Sequence, residues 1–535
     1  MCGIFGYLGN TVDSVSLNNA FLKTYKRGPD NNILKSITQN LVFGFHRLSI
    51  NDTSFKGNQP LFHPKKPYAI ICNGEIYNYK QLIEENNFVT YSNSDCEIIL
   101  YMYEKYGIEK LLKMIDSESF AFCIYDGEKE EIILSRDRFG VRPLFISTTS
   151  EGEVIFSSEM KSIIQLVNQQ DEITQFKPGC WKTYSLKNNQ ESEYYQYYDY
   201  IFPEISTENI EEICQNIRKK LTNAVKKRLM SDRPIGCLLS GGLDSSLITA
   251  LVMKQLNKPV ETFSIGLKDS VDLKYAQKVA DFIGSKHHTI ELTEEEFLNA
   301  IPEVIFNIES YDTTTVRASV GNYLVGKYIR ENTDITVVFN GDGSDEQSGY
   351  LYLENAPSEK DFKNECIRLL KEIHHFDVLR SDRSLSSNFS LETRAPFLDT
   401  DFVNYYMSIK TKFKNYHNRI EKHLLRLAFD EENLLPKEVL WRRKEAFSDG
   451  CSSNERSWHK IIQEFINTRI TKEEFENNKN KYQHNTPVLK ESYYYRKIFE
   501  SYYPKRGNLI PHFWLPKWSG EEIDPSAREL KFYIN

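Results

Sequence analysis

The chain lacks several features that would each have settled its class. It has no apolar run near the ~20 residues of a membrane span. It also lacks the basic-then-apolar opening of a secretory signal. Its nine cysteines are scattered and no two form a CxxC pair, so neither a zinc site nor a disulfide framework is implied. The expected compartment is reducing and cytoplasmic. There is no excess of positive charge: the net charge is −8, which argues against nucleic acid as a general partner. No Gly-Lys-Ser/Thr closes a Walker loop, no spacing makes a Rossmann fingerprint, and no internal repeat or low-complexity tract occurs.

What remains is 535 residues of ordinary globular composition, too long for one core, so two or three domains are expected. Up to about residue 185 the chain reads as strands and turns. Phe43–Ile50, Tyr68–Cys72, Ser119–Asp126, Glu131–Asp137 and Glu153–Ser158 are short apolar or alternating runs, and Asp126-Gly127-Glu128-Lys129 is a hairpin signal. Helices fit near Tyr79–Glu85 and Cys96–Tyr106, giving an α+β pattern. Residues 186–208 are polar, tyrosine-rich and aperiodic, and read as a linker. From residue 209 the pattern changes. Ile210, Ile213, Ile217, Leu221, Val225 and Leu229 recur at helical spacing. Strand-like Ile235–Leu239, Glu261–Ile265 and Ile335–Asn340 then alternate with helix-like Ser245–Leu256 and Leu273–Gly284. Such alternation predicts a parallel sheet with crossover helices, the α/β class. Beyond Glu359 the sequence is mostly helical.

Two places carry chemistry. The chain opens Met1-Cys2-Gly3-Ile4-Phe5-Gly6. Removal of Met1, favoured by a small second residue, would leave Cys2 with a thiol and a free α-amine. An amine with an ordinary pKa of roughly 7.7–8.0 can take the proton of its own thiol. The second place is Ser240-Gly241-Gly242-Leu243-Asp244-Ser245-Ser246, between the apolar strand and a helix. Glycines admit positive φ, and successive N–H groups at a helix N-terminus make an anion site, so a phosphate or pyrophosphate is the expected guest. The plain structural alternative is a helix cap with a tight turn.

The seven-residue string resembles the pyrophosphate loop of ATP pyrophosphatases. The first half resembles the glutaminase domain of class II, N-terminal-nucleophile amidotransferases. Joined in this order, the two resemble the glutamine-hydrolysing asparagine synthetases from Met1 to about Leu530, including Phe513-Trp514-Leu515-Pro516-Lys517-Trp518 and Asp524-Pro525-Ser526-Ala527-Arg528. The resemblance implies an N-terminal-nucleophile sandwich over residues 2–185 and an ATP pyrophosphatase-type synthetase domain over 209–535. It makes Cys2 the nucleophile toward glutamine, with Asn73 and Gly74 as the oxyanion hole. Arg47, Leu48, Ser49, Ile50, Glu75 and Asp95 would hold glutamine, and Arg27-Gly28-Pro29-Asp30 a turn near it. Leu238, Ser240, Gly241, Gly242, Asp244, Ser245, Ile265, Asn340 and Gly341 would contact ATP, and Asp244 and Asp345 would meet Mg²⁺. Thr314, Thr315 and Arg317 would lie on the aspartate side, and Lys444 would stabilise phosphate charge. The family often forms homodimers, and a dimer is expected by that analogy alone.

Three departures stand out. The third nucleotide segment reads Asn340-Gly341-Asp342-Gly343-Ser344-Asp345-Glu346, with Asp342 where the family has Glu, a residue it links to intermediate formation and proton removal from ammonia. The shorter side chain withdraws the carboxylate by about 1 Å, a shift that can cost ~10²-fold in rate. Ala318-Ser319-Val320-Gly321-Asn322 replaces Ala-Ser-Thr-Pro, near the expected aspartate site, and Asp116-Ser117-Glu118-Ser119 lacks a usual glycine. The competing expectations are an adenylating enzyme for another carboxylate, as in the related β-lactam synthetases, and a binding-only protein impaired at Asp342.

Overall fold

The computed structural model describes residues 1–535 except 189, 415–419, 519, 521, 527 and 531–535. Ala527 of the C-terminal run and the last residues of the expected second domain therefore lie outside the described residues. The chain divides into two compact units. The first comprises Met1–Tyr200 with Met230–Arg233 and Ser386–Glu392, and the second holds the rest.

The first unit is built on two six-stranded sheets. One, in the order β10-β8-β9-β1-β3-β2, uses Thr174–Gln175 (β10), Phe145–Thr148 (β8), Val154–Ser157 (β9), Gly3–Leu8 (β1), Leu41–Arg47 (β3) and Asn31–Ser36 (β2). The other, β12-β11-β7-β6-β5-β4, uses Tyr195–Gln196 (β12), Cys180–Ser185 (β11), Glu131–Arg136 (β7), Phe120–Asp126 (β6), Tyr68–Gly74 (β5) and Leu61–Phe62 (β4). The pairings within both are antiparallel. Ile4, Phe43 and Phe45 of one sheet share a core with Ile71, Cys123 and Leu134 of the other. The opposite face of the second sheet is covered by Tyr79–Asn86 (α2) and Ile98–Met114 (α3), which bury Leu82, Ile99, Met102 and Leu111.

The segment read as a linker is not one throughout. Tyr195 and Gln196 pair with Trp181 and Cys180. Tyr197 and Tyr200 donate their hydroxyls to the carbonyls of Arg136 and Arg138. Aromatic rings with a polar tip suit a half-buried edge, and composition alone could not separate that from a solvated connector.

The second unit carries a five-stranded sheet, β15-β14-β13-β16-β17. Its strands are Ile235–Leu238 (β13), Glu261–Leu267 (β14), Lys286–Leu292 (β15), Val337–Phe339 (β16) and Glu392–Arg394 (β17). β13, β14, β15 and β16 run parallel. The crossovers are Leu243–Leu256 (α6), Val271–Ile283 (α7), then Glu294–Ile308 and Thr313–Asn332. Before them, Ile210–Lys227 buries Ile213, Ile217, Leu221 and Val225 as one stripe, while Ile210 in its first turn stays 40% exposed. Its entry is capped by the Asn209 side chain. β15 escaped the sequence reading because it is an edge strand: of Lys-His-His-Thr-Ile-Glu-Leu only Ile290 is fully inside. No helix among the described residues is long and apolar enough to cross a membrane.

Chain order places the binding crevice. Leaving β13, the sheet grows toward β14 on one side and toward β16 on the other. In an open parallel sheet the crevice at such a reversal opens outside the carboxyl ends of the strands. The Ser240 loop follows β13 and the Asn340 loop follows β16, so two segments a hundred residues apart meet there.

Replacing Leu221, fully buried on its helix stripe, with Ala should lower stability by about 2–5 kcal/mol through lost burial and an unfilled cavity. Urea unfolding followed by tryptophan fluorescence, with an unchanged slope and a lower midpoint, checks this.

Candidate functional site

In the first unit, Cys2 immediately precedes β1, whose neighbour β3 ends at Arg47. The Cys2 thiol faces the Leu48 carbonyl at 3.5 Å. Arg27 donates to the Cys2 carbonyl at 2.9 Å and is neutralised by Glu159 at 2.5 Å. Asp30 accepts the Ser49 N–H at 2.8 Å, so the Arg27–Asp30 turn does border this pocket. The Leu48–Ile50 backbone is further fixed by Arg233, which donates to the Ser49 carbonyl, and by Asp232, whose N–H reaches that of Ile50. Burial pushes the thiol up to about 11 and the Met1 amine down to about 6, so both are held neutral.

Three polar groups around this thiol lack the partner their burial demands. Arg47 is 5% exposed, and its guanidinium donates only to neutral oxygens: the Ser54 carbonyl at 2.6 Å, Asn58 at 2.7 Å and the Asp52 carbonyl. Among the described residues no carboxylate pairs with it. Asp95 is the converse case. Its carboxylate accepts the Ile76 N–H at 2.7 Å and the Asn51 amide at 3.4 Å, with no cation among the described residues. Burial pushes it up to about 6. Asn73, at the end of β5, has a buried Nδ2 with no acceptor among the described residues. Gly74 follows it, and Glu75 shares Asn51 with Asp95. An unmatched cation, an unmatched anion and an unmatched donor are costly inside a protein and suit an amino-acid zwitterion with a polar side chain.

In the second unit a cavity of about 240 Å³ opens at the β13/β16 crevice. Leu238, Ser240, Gly242, Asp244, Ser245, Ile265, Asn340, Gly341, Asp342, Asp345, Thr314 and Lys444 all line it. The Ser240 loop is tied by its own hydroxyls: Ser245 Oγ lies 2.9 Å from Ser240 Oγ and accepts the Ser240 N–H at 3.1 Å. Gly241 has φ +74°, and a Cβ there would lie 2.4 Å from the Ala276 nitrogen, so only glycine fits. Ser344 donates to Asp244 at 2.8 Å, which joins the two crevice loops.

Lys422 contacts Asp244 at 2.5 Å and Asp345 at 2.6 Å, and Lys444 reaches the same Asp345 oxygen. Burial opposes the charge on Asp345, but the two ammonium groups hold its carboxyl well below the usual range. Asp342 behaves oppositely. Burial pushes it up to about 7, with Asp377 adding to the rise and a hydrogen bond from Ser381 opposing it. Asn340 donates to the same Asp342 oxygen at 2.9 Å. The two carboxylates on Lys422 converge on one cationic position. Among the described residues no three His, Cys, Asp or Glu side chains form a metal cluster. Two carboxylate oxygen donors in place of the Lys422 ammonium fit Mg²⁺, which keeps water and phosphate as its other ligands.

Three expected residues are not on the cavity wall. Gly241 shapes the loop from behind. Thr315 is buried and donates to the Phe376 carbonyl at 3.1 Å. Arg317 is 3% exposed and bonds Glu491 at 2.7–2.8 Å and Asp524 at 2.8 Å. It faces the helical part of its unit rather than the cavity, because two buried carboxylates outcompete a solvated crevice for the guanidinium. Ala318 and Asn322 of the departing stretch line the same cavity. A Cβ on Gly321 would sit 2.7 Å from the Phe447 ring and 3.7 Å from Ile265, which puts this stretch at the apolar end.

Sequence reading missed Lys422, Arg442, Arg380, Tyr350, Asn322 and Phe447 on the cavity wall. Lys422 sits at φ +56°, a left-handed position that no local residue pattern announces. Arg442 precedes Lys444 by two residues. It bonds Asp272 at 3.0 Å and the Gly241 carbonyl at 3.2 Å.

Comparison with known proteins agrees with this division. Residues 1–197 match the glutamine amidotransferase domain model, and residues 216–361 and 347–524 match the asparagine synthase model. The class is thus a glutamine amidotransferase domain joined to an asparagine synthase domain. "Asparagine synthetase [glutamine-hydrolyzing]" of Cricetulus griseus and that of Homo sapiens are each 44% identical to this chain, over 100% of it and 99% of their own length. The chain belongs to the family of glutamine-hydrolysing asparagine synthetases. A solved glutamine phosphoribosylpyrophosphate amidotransferase from B. subtilis covers 49% of this chain and 65% of its own at 18% identity and a TM-score of 0.32, too slight a likeness to carry an argument.

Arg317→Met should leave Glu491 and Asp524 buried without a cation and cost about 3–5 kcal/mol of stability. Urea unfolding checks this; an unchanged midpoint with a raised KM for aspartate would instead make Arg317 a substrate ligand.

Proposed function

We propose that the chain makes L-asparagine from L-aspartate, with glutamine as nitrogen donor and ATP as the activating substrate. The observation that carries the reading is the set of unmatched groups around Cys2, on a chain that is related over its whole length to glutamine-hydrolysing asparagine synthetases. In this reading the first unit is an N-terminal-nucleophile glutaminase and the second an ATP pyrophosphatase-type synthetase. By family analogy the enzyme acts in the cytoplasm as a homodimer.

Removal of Met1 gives Cys2 its own amine as proton acceptor. Arg47 takes the α-carboxylate of glutamine through paired N–H donors, and Asp95 takes the α-ammonium. The Cys2 sulfur attacks the side-chain amide carbon. Asn73 Nδ2 and the Gly74 N–H stabilise the oxyanion, a contribution of roughly 3–4 kcal/mol per donor. The C–N bond breaks, ammonia leaves, and water hydrolyses the thioester to glutamate.

In the second unit the Ser240–Ser246 loop holds the β and γ phosphates of ATP, while Leu238, Ile265, Asn340 and Gly341 surround the adenosine. The β-carboxylate of aspartate attacks the α phosphorus, giving β-aspartyl-AMP and pyrophosphate. Asp244 and Asp345 would hold Mg²⁺, which would supply positive charge at the pyrophosphate. Lys444 adds to it. Ammonia attacks the acyl carbon, AMP departs, and Asp342 accepts the extra proton. Thr314 lies where the aspartate would be held.

Cys2→Ala should abolish asparagine formation from glutamine and retain it from ammonium chloride. Asn73→Ala should lower glutaminase kcat about 10²–10³-fold. Asparagine, glutamate and pyrophosphate measured in one reaction decide both. Glutamate without pyrophosphate would overturn the synthetase assignment.

Asp342 must be ionised to act as base, and its folded-state value is raised to about 7. The ammonia-dependent rate should therefore fall about tenfold per unit as pH drops below 7, once corrected for the free-ammonia fraction. Asp342→Asn should be slow at every pH. A flat corrected profile would remove Asp342 from the proton step.

A further inference from the structure

The helix Thr313–Asn332 presents a single stripe to the synthetase cavity: Thr314, Ala318, Asn322 and Val325, spaced by four, four and three residues. Its N-terminal end lies beside Arg380 and the acidic cluster. Asn322 stands about 12 Å further along the axis, eight residues at ~1.5 Å each. There the neighbouring Gly321 lets Phe447 and Ile265 approach. Leu238, Phe263, Ile265, Val325 and Phe447 are among the residues that line the cavity, Ile265 and Phe447 being those beside Gly321. Asn322 is a half-buried amide on the cavity wall, and among the described residues it has no hydrogen-bond partner.

An amide carries two donors and two lone pairs, and a half-desolvated one gains from any ligand that matches it. Its surroundings set the match. The aliphatic and aromatic side chains suit the faces of a flat heterocycle, while the amide can meet only the ring's edge. Adenine offers an exocyclic amine beside a ring nitrogen, one donor and one acceptor. A carboxamide pairs with that edge through two hydrogen bonds. We infer that Asn322 reads the nucleobase edge of ATP, accepting from the 6-amino group through Oδ1 and donating to the adjacent ring nitrogen through Nδ2. Asn322 is then a specificity-determining residue for the nucleotide, not part of the machinery that moves phosphate or ammonia. The inference rests on the cavity being the ATP site.

The test pairs a variant with a modified ligand. Wild type and Asn322→Leu are titrated calorimetrically, with Mg²⁺ present, against ATP and against purine riboside triphosphate, which lacks only the 6-amino group. Wild type should bind ATP at least about 5-fold more tightly than the analogue, which keeps only the ring-nitrogen bond of a bidentate amide–adenine pair. Asn322→Leu should lose about 5- to 150-fold for ATP, the range of the whole pair, and clearly less for the analogue. Glutamate release from glutamine, which uses the other unit, should be unchanged and reports an intact fold. Equal losses for both ligands would assign Asn322 to packing and overturn the inference, as would no loss for ATP. ATP binding with the expected pattern but no asparagine would sink the proposed reaction and leave the Asn322 assignment standing. Wild type that binds neither nucleotide would sink both.

Discussion

Lys422 standing between Asp244 and Asp345 is the contact on which the synthetase crevice depends. The two carboxylates come from loops that follow different strands, and like charges so close would repel by several kcal/mol in a poorly solvated site. One ammonium satisfies both. That lets the glycine loop after β13 and the acidic loop after β16 share a wall. It also sets two protonation states apart: Asp345 is held ionised by its lysines, while Asp342, three residues earlier, is pushed toward neutrality by burial. Acid–base chemistry and charge neutralisation can thus occupy one cavity without exchanging roles.

The first unit uses the opposite device. Instead of pairing its charges it leaves Arg47 and Asp95 without ionic partners, and Asn73 without an acceptor, among the described residues. Their burial is tolerable because neutral groups already solvate each in part, such as the carbonyls around Arg47 and the Ile76 N–H on Asp95. In the proposed function the glutamine zwitterion completes the set. Specificity follows from the penalty for leaving it incomplete.

Much of this architecture could be read from the sequence because the relevant signals were local. The β5–β6–β7 runs, the Ile213–Val225 stripe and the strand–glycine–helix string at Ser240 all lie within single windows of the chain. The strand β1 was hidden by its glycines, and β15 by the polarity of an edge. The side chains that were missed or misplaced share a different cause. Lys422 serves loops about 80 and 180 residues away, and no local window contains its partners. Arg317 looked free because Glu491 and Asp524 lie far along the chain. Asn322 is an ordinary helix residue until the sheet brings Ile265 beside it.

Met1 is fully buried, its amine facing the Leu391 carbonyl at 3.5 Å, and the segment Ser386–Glu392 belongs to the first unit. That unit therefore cannot be completed until the ribosome has passed residue 391. At about 5–20 residues per second this is a delay of roughly 20–80 s, during which the nascent N-terminus stays open. The discontinuity of the first unit thus delays its closure around the N-terminus until residues 386–392 have been made.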